Sequence, residues 1–410
     1  MIEFAQHAPS PYFDSADGEL VVGGRKISAL VAAFGRTPVY CYDSSVIERK
    51  VAEFRAAMPR EVELHYAIKA NPLPAVVARL ASLTNGLDVA SGRELDIALA
   101  TTIAHEDISF AGPGKSPAEL EQAVSADIVV NAESELELER LTAIARESGR
   151  RPKVAIRVNP DFELKSSGMK MGGGPKQFGI DAERVPAVLQ TFVGSPLEFW
   201  GFHIFSGSQN LRPDSLIESQ AKSAQLACEL ARVAPAPVRL LNLGGGFGIP
   251  YFPGEKPLEL ERIAAALRTL VPSVRHALPH AKLVIELGRY LVGESGVYIC
   301  RVVDRKVSRG HVFLITDGGL HHHLSASGNF GQVLRKNYPV LIANRIGAQQ
   351  REIASVVGPL CTPLDLLADR MELAVAQVGD LVAVFQSGAY GASASPQNFL
   401  SHPPVGEILM

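Results

Sequence analysis

Cysteine is scarce in this chain, and its few thiols are widely spaced. The 410 residues include only Cys41, Cys228, Cys300 and Cys361, and no two of them form a close pair. This spacing favours reduced thiols over a disulfide framework or a zinc site. An apolar run long enough to span a membrane is missing as well. We therefore expect neither a disulfide-stapled secreted protein nor an integral membrane protein.

Basic residues are not in excess either. Lysine and arginine number 40 against 43 acidic residues, giving a net charge of −3, and no basic stripe is present. A nucleic-acid-binding surface needs such a stripe, so we expect small molecules or proteins as partners, with no nucleic acid and no membrane. The first residues carry an early acid, Glu3, and lack the basic start and apolar core of a secretory signal. These features predict a cytoplasmic protein.

The chain has the length of a two-domain globular protein, since 410 residues exceed what one hydrophobic core usually supports. From about residue 62 to 287, short apolar segments alternate with polar turns and helical stretches. The eight predicted strands are 62–68, 86–90, 108–111, 127–131, 154–158, 199–205, 240–243 and 283–286. This alternation predicts an α/β fold, with a (β/α)8 barrel at residues 39–287. The chemistry of such barrels lies at the C-terminal ends of the strands.

The sequence after Arg289 changes to a β-rich pattern. Predicted strands at 296–303, 311–316, 352–357 and 380–385 indicate a C-terminal all-β domain, to which the N-terminal segment contributes. We place this domain at residues 1–38 and 288–410. The glycine-dense segment 165–174 predicts a mobile loop, either a lid or a plain surface excursion.

Lys69 is the first candidate for chemistry. It follows an apolar run in the segment YAIKAN, residues 66–71, at the predicted mouth of a strand. A crowded ammonium loses its proton more easily than a solvated one, and the free amine can attack an aldehyde such as pyridoxal phosphate. The alternative is a solvated lysine that only caps the strand.

Three further segments lie at predicted strand ends. The run LGGGFG, residues 243–248, fits a phosphate cradle better than a P-loop or a dinucleotide fingerprint, although a tight turn without ligand gives the same pattern. In ELGR, residues 286–289, Glu286 could bond a pyridinium nitrogen and Arg289 a phosphate, or the two could form a surface pair. His203 could stack on a flat cofactor ring or be an ordinary core histidine.

Together these residues resemble the fold-type III pyridoxal-phosphate decarboxylases, which include diaminopimelate, ornithine and arginine decarboxylases. The resemblance covers almost the whole chain. It rests on YAIKAN at 66–71, DVASGRE at 88–94, IRVNP at 156–160, the glycines at 244–248, ELGR at 286–289, GPLC at 358–361 and SGAYG at 387–391. It implies a pyridoxal-phosphate-binding barrel with an alanine racemase-like β-domain.

The resemblance also implies roles for individual residues. Lys69 would bind the cofactor covalently, His203 would stack on its ring and Glu286 would lie at the ring nitrogen. Asp88, Glu94 and Arg157 would support the lysine and the cofactor. The phosphate would be held by Ser206, Gly244, Gly245, Gly246, Gly288, Arg289 and Tyr390. Cys361 would reach into the active site of a second subunit and protonate the α-carbon after CO2 loss, so we expect a homodimer with shared active sites.

Two departures from the family pattern bear on the substrate. Diaminopimelate decarboxylases carry an acid directly after the cysteine, where this chain has Thr362. Ornithine-type enzymes place an acid after the turn at 317–318, where this chain has three histidines, 321–323. Adjacent side chains cannot all face one point, so we expect no metal there and instead a structural or gating role. We predict substrate contacts from Arg157, Thr362, Arg335 and Tyr338.

The segments that carry these departures are most similar to those of a subgroup encoded in biosynthetic clusters. This subgroup includes decarboxylases of glutamyl groups on acyl-carrier proteins and exosortase-associated decarboxylases. The leading prediction is therefore α-decarboxylation of a carrier-bound amino-acyl group. Alternatives are decarboxylation of free diaminopimelate or ornithine, racemisation, and an inactive regulatory relative. Racemases of this fold place a tyrosine at the position of Cys361, and inactive relatives lose the lysine or the phosphate contacts, so both are disfavoured.

Overall fold

The computed structural model describes residues 1–162, 169–170, 172–330, 332 and 335–410. Residues 165–168 and 171 of the predicted mobile loop at 165–174 lie outside the described residues. In chain order the strands are β1 Asp14–Ala16, β2 Glu19–Val22, β3 Arg25–Lys26, β4 Val39–Tyr42, β5 Val62–Ala67, β6 Gly86–Val89, β7 Ile108–Phe110, β8 Val129–Ala132, β9 Lys153–Asn159, β10 Met169–Lys170, β11 Ile180–Asp181, β12 Glu198–His203, β13 Gly207–Ser208, β14 Leu240–Gly245, β15 Lys282–Leu287, β16 Gly296–Ser308, β17 His311–Thr316, β18 Val340–Ile342, β19 Arg351–Val357, β20 Leu366–Ala374, β21 Leu381–Val384 and β22 Gly406–Leu409.

The α-helices mostly follow barrel strands, and several begin at a serine cap. They are α1 Ile27–Phe34, α2 Ser44–Ala57, α3 Pro74–Ala81, α4 Gly92–Leu99, α5 Pro117–Ser125, α6 Glu135–Ser148, α7 Val185–Gln190, α8 Pro213–Ala231, α9 Leu260–Ala277 and α10 Arg289–Val292. Ser91, Ser116 and Ser134 each accept a hydrogen bond from the backbone N–H of a glutamate three residues later, at the start of α4, α5 and α6. This repeated Ser-x-x-Glu pattern satisfies N–H groups that a helix leaves unpaired at its start.

Eight parallel strands close into a barrel. Their order around the barrel is β5, β6, β7, β8, β9, β12, β14, β15 and back to β5. The predicted (β/α)8 barrel is confirmed, and all eight predicted segments are strands in it. The fourth strand begins at Val129 rather than at 127, because Asp127 has φ +58° and cannot continue an extended strand. One end of the barrel core contains Val129, Ala155, Leu240 and Val284, packed against Trp200.

A second, mostly β unit contains two further sheets. Its main sheet has the order β18-β21-β16-β17-β19-β20, and β4 pairs with both β16 and β22. Strands β1, β2 and β3 form a separate antiparallel sheet near the N-terminus. The predicted separate β-domain is therefore confirmed. Strands β4, β18, β20 and β22 were not predicted from the sequence.

The chain divides into two compact units. The barrel unit comprises 51–248 and 258–288, and the β unit comprises 1–50, 249–257 and 289–410. The division differs from the predicted boundary at residue 39, because β4 hydrogen bonds to strands of the β unit. Within the described part of the chain, no helix has the length and apolar character needed to cross a membrane.

Candidate active site

Lys69 and Glu286 form the centre of the candidate site in the barrel unit. Strand β5 ends at Ala67, and Lys69 lies in the 3-10 turn that follows it. Glu286 lies near the end of the neighbouring strand β15, and the lysine Nζ is 3.4 Å from its Oε1. The lysine side chain is 40% exposed, whereas the glutamate side chain is only 5% exposed. The amine is therefore accessible, and the carboxylate is fixed inside the barrel.

Glu286 is held by further polar neighbours. Its Oε2 lies 3.2 Å from Nε2 of His203, and Nδ2 of Asn242 donates to it at 3.4 Å. Burial alone would raise the pKa of Glu286, but the charges of Lys69, His203 and Arg157 outweigh this, so the pKa lies well below its usual range. The carboxylate therefore stays ionised at neutral pH.

His203 and Ser206 carry buried polar atoms that have no hydrogen-bond partner among the described residues. His203 ends β12 and is 2% exposed, and its Nδ1 has no partner. The Oγ of Ser206 is buried and also lacks a partner. A buried polar atom without a partner costs free energy. Such atoms in a protein are therefore candidates for contact with a ligand.

The glycine run at the end of β14 lies beside the segment that contains Ser206. Gly244 and Gly246 have φ +67° and +82°, which disfavours residues with a Cβ. A Cβ on Gly246 would lie 2.2 Å from the carbonyl oxygen of Gly207, and one on Gly244 would lie 2.6 Å from the Phe205 ring. Close backbone approach therefore requires glycine here. Whether the turn also cradles a phosphate stays a prediction.

The barrel also places the predicted supporting residues near this centre. Burial raises the pKa of Glu94, although the charge of Lys69 opposes the shift, and its carboxylate accepts the N–H of Ala90 at 2.7 Å. Asp88 accepts a hydrogen bond from the hydroxyl of Ser109 inside the barrel. The fully buried His65 is the other close neighbour of Asp88, with 3.7 Å between Nδ1 and Oδ2.

Glu133 follows strand β8 and supports the site, although it was assigned no role from the sequence. Its Oε1 lies 2.7 Å from Nη1 of Arg157 and accepts the N–H of Gly112 at 2.6 Å. Its Oε2 accepts the N–H of Gly179 at 3.2 Å. Burial would raise the pKa of Glu133, but Arg157 and Lys115 hold it below its usual value. One carboxylate thus fixes Arg157 and two loops after the strands.

The functional groups of these residues match the groups of pyridoxal phosphate that they would have to bind. An aldehyde requires an accessible amine, which Lys69 offers, and a pyridinium nitrogen requires an ionised carboxylate, which Glu286 offers. A phosphate requires N–H and O–H donors, and the hydroxyl of Ser206 is buried without a partner beside the glycine run. Gly288 completes this set of predicted cofactor residues in the barrel unit.

The β unit contains the other predicted phosphate residues. The guanidinium of Arg289 lies 4.6 Å from the ring centroid of Tyr390, and its Nη1 donates to the hydroxyl of Tyr251 at 3.0 Å. The sequence did not single out Tyr251, because its contact with Arg289 joins segments 38 residues apart.

The predicted substrate residues of the β unit differ in their surroundings. Tyr338 is buried, and its ring centroid lies 4.7 Å from that of Tyr251. Arg335 donates to the carbonyl oxygens of Ser327 and Leu366 and to Oδ1 of Asn337, at 3.2, 2.9 and 2.6 Å. These contacts fix the segment around Arg335, so its predicted contact with substrate stays a prediction.

Cys361 lies in the loop between β19 and β20, and it is the exposed thiol among the four cysteines. Cys41 and Cys300 are buried, and Cys228 is partly buried. Thr362 follows it, and its hydroxyl accepts the N–H of Leu364 at 3.3 Å. The loop therefore presents a thiol and no carboxylate at these two positions.

The three consecutive histidines are packed inside the β unit. Nε2 of His322 lies 2.9 Å from the carbonyl oxygen of Pro403, and Nε2 of His323 lies 2.8 Å from Oγ of Ser387. The ring of His321 lies 3.7 Å from that of His322. Across the described residues, no group of three or more His, Cys, Asp or Glu side chains is arranged to hold a metal ion.

Comparison with known proteins agrees with the fit of these residues to pyridoxal phosphate. Residues 44–293 match the family model "Pyridoxal-dependent decarboxylase, pyridoxal binding domain". The L-glutamyl-[BtrI acyl-carrier protein] decarboxylase of Niallia circulans is 38% identical, over 94% of this chain and 91% of that protein. The diaminopimelate decarboxylase of Aquifex aeolicus is 33% identical, over 98% and 93%. A crystal structure of the diaminopimelate decarboxylase from M. jannaschii is 26% identical, with a TM-score of 0.88 over 98% and 93% of the two chains.

Proposed function

Because the chain belongs to the pyridoxal-dependent decarboxylases, which are carboxy-lyases, we propose that it removes the α-carboxylate from an amino-acyl group held on an acyl-carrier protein. The observation that carries the chemistry is the pairing of an accessible Lys69 amine with a buried, ionised Glu286 carboxylate at the strand ends of the barrel. The observation that favours a carrier-bound substrate is the 38% identity to an enzyme named for a carrier-bound glutamyl group.

The proposed cofactor is pyridoxal phosphate. When bound, it supplies an electron-withdrawing ring that stabilises the negative charge left on the α-carbon as CO2 departs. Lys69 would provide the amine that holds the cofactor aldehyde, and Glu286 would keep a proton on the ring nitrogen. Ser206 and the glycines 244–246 and 288 would bind the phosphate, as would Arg289 and Tyr390.

The polar groups of the barrel and the thiol have separate tasks in this proposal. His203 is kept in place by its contact with Glu286, and its ring would pack on the bound cofactor. Cys361 returns a proton from Sγ to the α-carbon once the carboxylate has left, which completes the exchange of CO2 for a proton. Racemisation would return a proton without loss of CO2, so measurement of CO2 separates the two reactions.

The substrate proposal rests on the loop that carries Cys361. An acid at position 362 would bind a distal amino group, and Thr362 offers none. A neutral distal end, such as an acyl group joined to a carrier, fits this position better than the ammonium of diaminopimelate or ornithine. The second candidate is a free amino acid, because the diaminopimelate decarboxylase of Aquifex aeolicus is 33% identical over 98% of this chain.

We also propose that two copies of the chain assemble and share their active sites. Leu364, three residues after Cys361, is 59% exposed, and Phe330 is 44% exposed. The two residues flank a hydrogen bond of 3.3 Å from Nδ2 of Asn329 to the carbonyl oxygen of Leu364. Large exposed apolar side chains beside a functional loop are typical of a protein interface.

The test is CO2 release from carrier-bound and free amino acids by the protein loaded with pyridoxal phosphate. We expect turnover of a carrier-bound glutamyl or related group, little turnover of free diaminopimelate, and no turnover by Lys69→Ala. The matched control is Lys222→Ala on helix α8, which removes an exposed lysine paired with Glu218. Turnover by Lys69→Ala equal to that of the control would refute the proposed chemistry. Faster CO2 release from free diaminopimelate would refute the proposed substrate class.

A further inference from the structure

The loop 358–365 carries Cys361, and it is closed by its own backbone. The N–H of Gly358 donates to the carbonyl oxygen of Asp365 at 3.1 Å, across the base of the loop. The N–H of Asp365 donates in turn to the carbonyl oxygen of Thr362 at 3.2 Å. These bonds shape the loop, but both of their partners lie within it. They do not fix the loop to the rest of the β unit.

The side chain of Asp365 makes the buried part of that connection, and an exposed bond from Nδ2 of Asn329 to the carbonyl oxygen of Leu364 at 3.3 Å accompanies it. Oδ2 of Asp365 accepts the N–H of Leu360, the residue before the cysteine, at 2.8 Å. Its Oδ1 accepts the N–H of Leu320, 45 residues away in sequence, at 2.6 Å. Asp365 is only 3% exposed, so both bonds are shielded from water. A buried carboxylate that accepts two N–H groups forms strong hydrogen bonds, since one partner carries a charge.

Two glycines leave room for this carboxylate. A Cβ on Gly319 would lie 2.1 Å from Oδ1 of Asp365, and a Cβ on Gly358 would lie 2.3 Å from Oδ2. Neither glycine has the positive φ that would itself demand glycine. The carboxylate therefore occupies the space that an alanine at either position would need. Gly319 immediately precedes Leu320 and the three buried histidines.

We infer that Asp365 is a positioning residue for Cys361, and that its carboxylate fixes the cysteine loop to the buried turn at 319–323. We call this arrangement the Asp365 clamp: the carboxylate of Asp365, the N–H groups of Leu320 and Leu360, and the two glycines that make room for it. The clamp gives the three-histidine segment a function, because that packed segment is the support to which the loop is attached. The inference deepens the proposed function, since it rests on Cys361 as the proton donor.

A misplaced thiol has a definite chemical consequence in this reaction. If Cys361 did not deliver its proton to the α-carbon, a bound cofactor would take up the proton instead. Hydrolysis by one water would then leave the amino group with the cofactor and release the product as an aldehyde in place of an amine. CO2 is released in both cases. Loss of the clamp therefore changes the ratio of amine to CO2, which simple loss of folded protein would not change.

The first experiment measures the reactivity of Cys361 in the purified full chain, without substrate. Iodoacetamide alkylation is followed for each cysteine peptide by mass spectrometry, with Cys228 as the internal reference. Asp365→Asn and Gly319→Ala should each change the alkylation rate of Cys361 by about tenfold, the effect of losing one hydrogen bond to a charged group. A rate within about twofold of the parent protein in both folded variants would overturn the inference.

A double-mutant cycle separates the clamp from general disturbance of the β unit. In an Asp365→Ala background the carboxylate is gone, so Gly319→Ala should have little further effect on Cys361. Additive effects would contradict the clamp. The matched control is Asp380→Asn, which alters another buried aspartate of the β unit that accepts a backbone N–H, from Gln377 at 2.7 Å. This control should leave the alkylation rate of Cys361 unchanged.

The second experiment measures amine, aldehyde and CO2 during turnover. The Asp365 and Gly319 variants should release CO2 while forming aldehyde in place of part of the amine, whereas Asp380→Asn should form amine only. Unchanged amine formation by variants with altered alkylation rates would refute the positioning role. If no variant and no parent protein releases CO2, the proposed function fails, and the alkylation cycle still tests the clamp.

Discussion

At the scale of single residues, the side chains of Lys69 and Glu286 differ in their burial and in how firmly their neighbours hold them. A buried carboxylate is costly unless it is paired, and Glu286 has Lys69, His203 and Asn242 around it. The lysine side chain is eight times as exposed as that of its partner, at 40% against 5%. The carboxylate is therefore the fixed member of the pair, and the amine is the member that can leave to react.

His323 makes the stability of the protein depend on pH. Burial lowers the pKa of His323 to about 3 from its ordinary value of 6.5. Between these values the unfolded chain binds a proton that the folded chain does not, so the folded state loses stability as pH falls below 6.5. The contribution is fully present above pH 6.5, and the slope is about 1.4 kcal/mol per pH unit for one histidine.

The prediction is that His323→Phe reduces this acid sensitivity. The variant removes the titrating ring and its bond with Oγ of Ser387, which still donates to the carbonyl oxygen of Val384 at 2.7 Å. The loss of this one bond lowers stability by a similar amount at every pH. Urea denaturation at several pH values between 4.5 and 7.5 should therefore show a shallower dependence than in the parent protein. The exposed His276 on helix α9 provides the control, and His276→Gln should retain the parent slope. Equal slopes for the parent and His323→Phe would contradict the prediction.

The sequence could place the residues whose positions follow from strand ends. Lys69, His203 and Glu286 each end or follow a short apolar segment, and a parallel barrel brings such ends to one side. Glu133 and Asp365 have roles that depend on contacts between distant segments. The bond from Leu320 to Asp365 is an example, since nothing local in either segment indicates the other.

At the scale of elements, the barrel strands were predictable and some strands of the β unit were not. Buried parallel strands are apolar throughout, and the eight barrel segments show this pattern. Strand β20, Leu366–Ala374, contains Asp369, Arg370 and Glu372, and its pairing with β19 has two irregularities. Arg370 has φ +47°, which interrupts the alternation of the strand. A strand with exposed charges and bulges gives no clear period in the sequence.

The glycine run at the end of β14 allows a prediction with a matched control. Gly246 and Gly194 both have positive φ, +82° and +75°, so alanine costs about 1–2 kcal/mol of backbone strain at either position. A Cβ at Gly194 meets nothing within 4 Å, whereas one at Gly246 lies 2.2 Å from the carbonyl oxygen of Gly207. Gly246→Ala should therefore destabilise the barrel by about 1–3 kcal/mol more than Gly194→Ala.

Urea denaturation of the two variants measures this difference. Cofactor binding gives an independent reading, because a displaced Gly207 also shifts the neighbouring Ser206. We expect weaker pyridoxal phosphate binding by Gly246→Ala and parent-like binding by Gly194→Ala. Equal stability of the two variants would show that the turn adapts to a side chain. Equal cofactor binding with unequal stability would remove the glycine run from the phosphate site.

At the scale of the whole molecule, the two proposed catalytic residues lie in different units of the chain. Lys69 lies in the barrel unit and Cys361 in the β unit. The exposed thiol and the exposed Leu364 belong to one loop of the β unit. A homodimer with a twofold axis presents this loop twice, so each site can receive Lys69 from one chain and Cys361 from the other.

Shared sites predict that two inactive variants restore activity to each other. Lys69→Ala lacks the amine, and Cys361→Ala lacks the thiol, so neither homodimer has a complete site. In a mixed dimer, the Cys361→Ala chain supplies Lys69 and the Lys69→Ala chain supplies Cys361, which completes one of the two sites. Random exchange at equal amounts makes half of the dimers mixed, so amine formation should recover to about one quarter of the parent level. If both residues of a site came from the same chain, no mixture could contain a complete site, and amine formation would stay at the level of the separate variants.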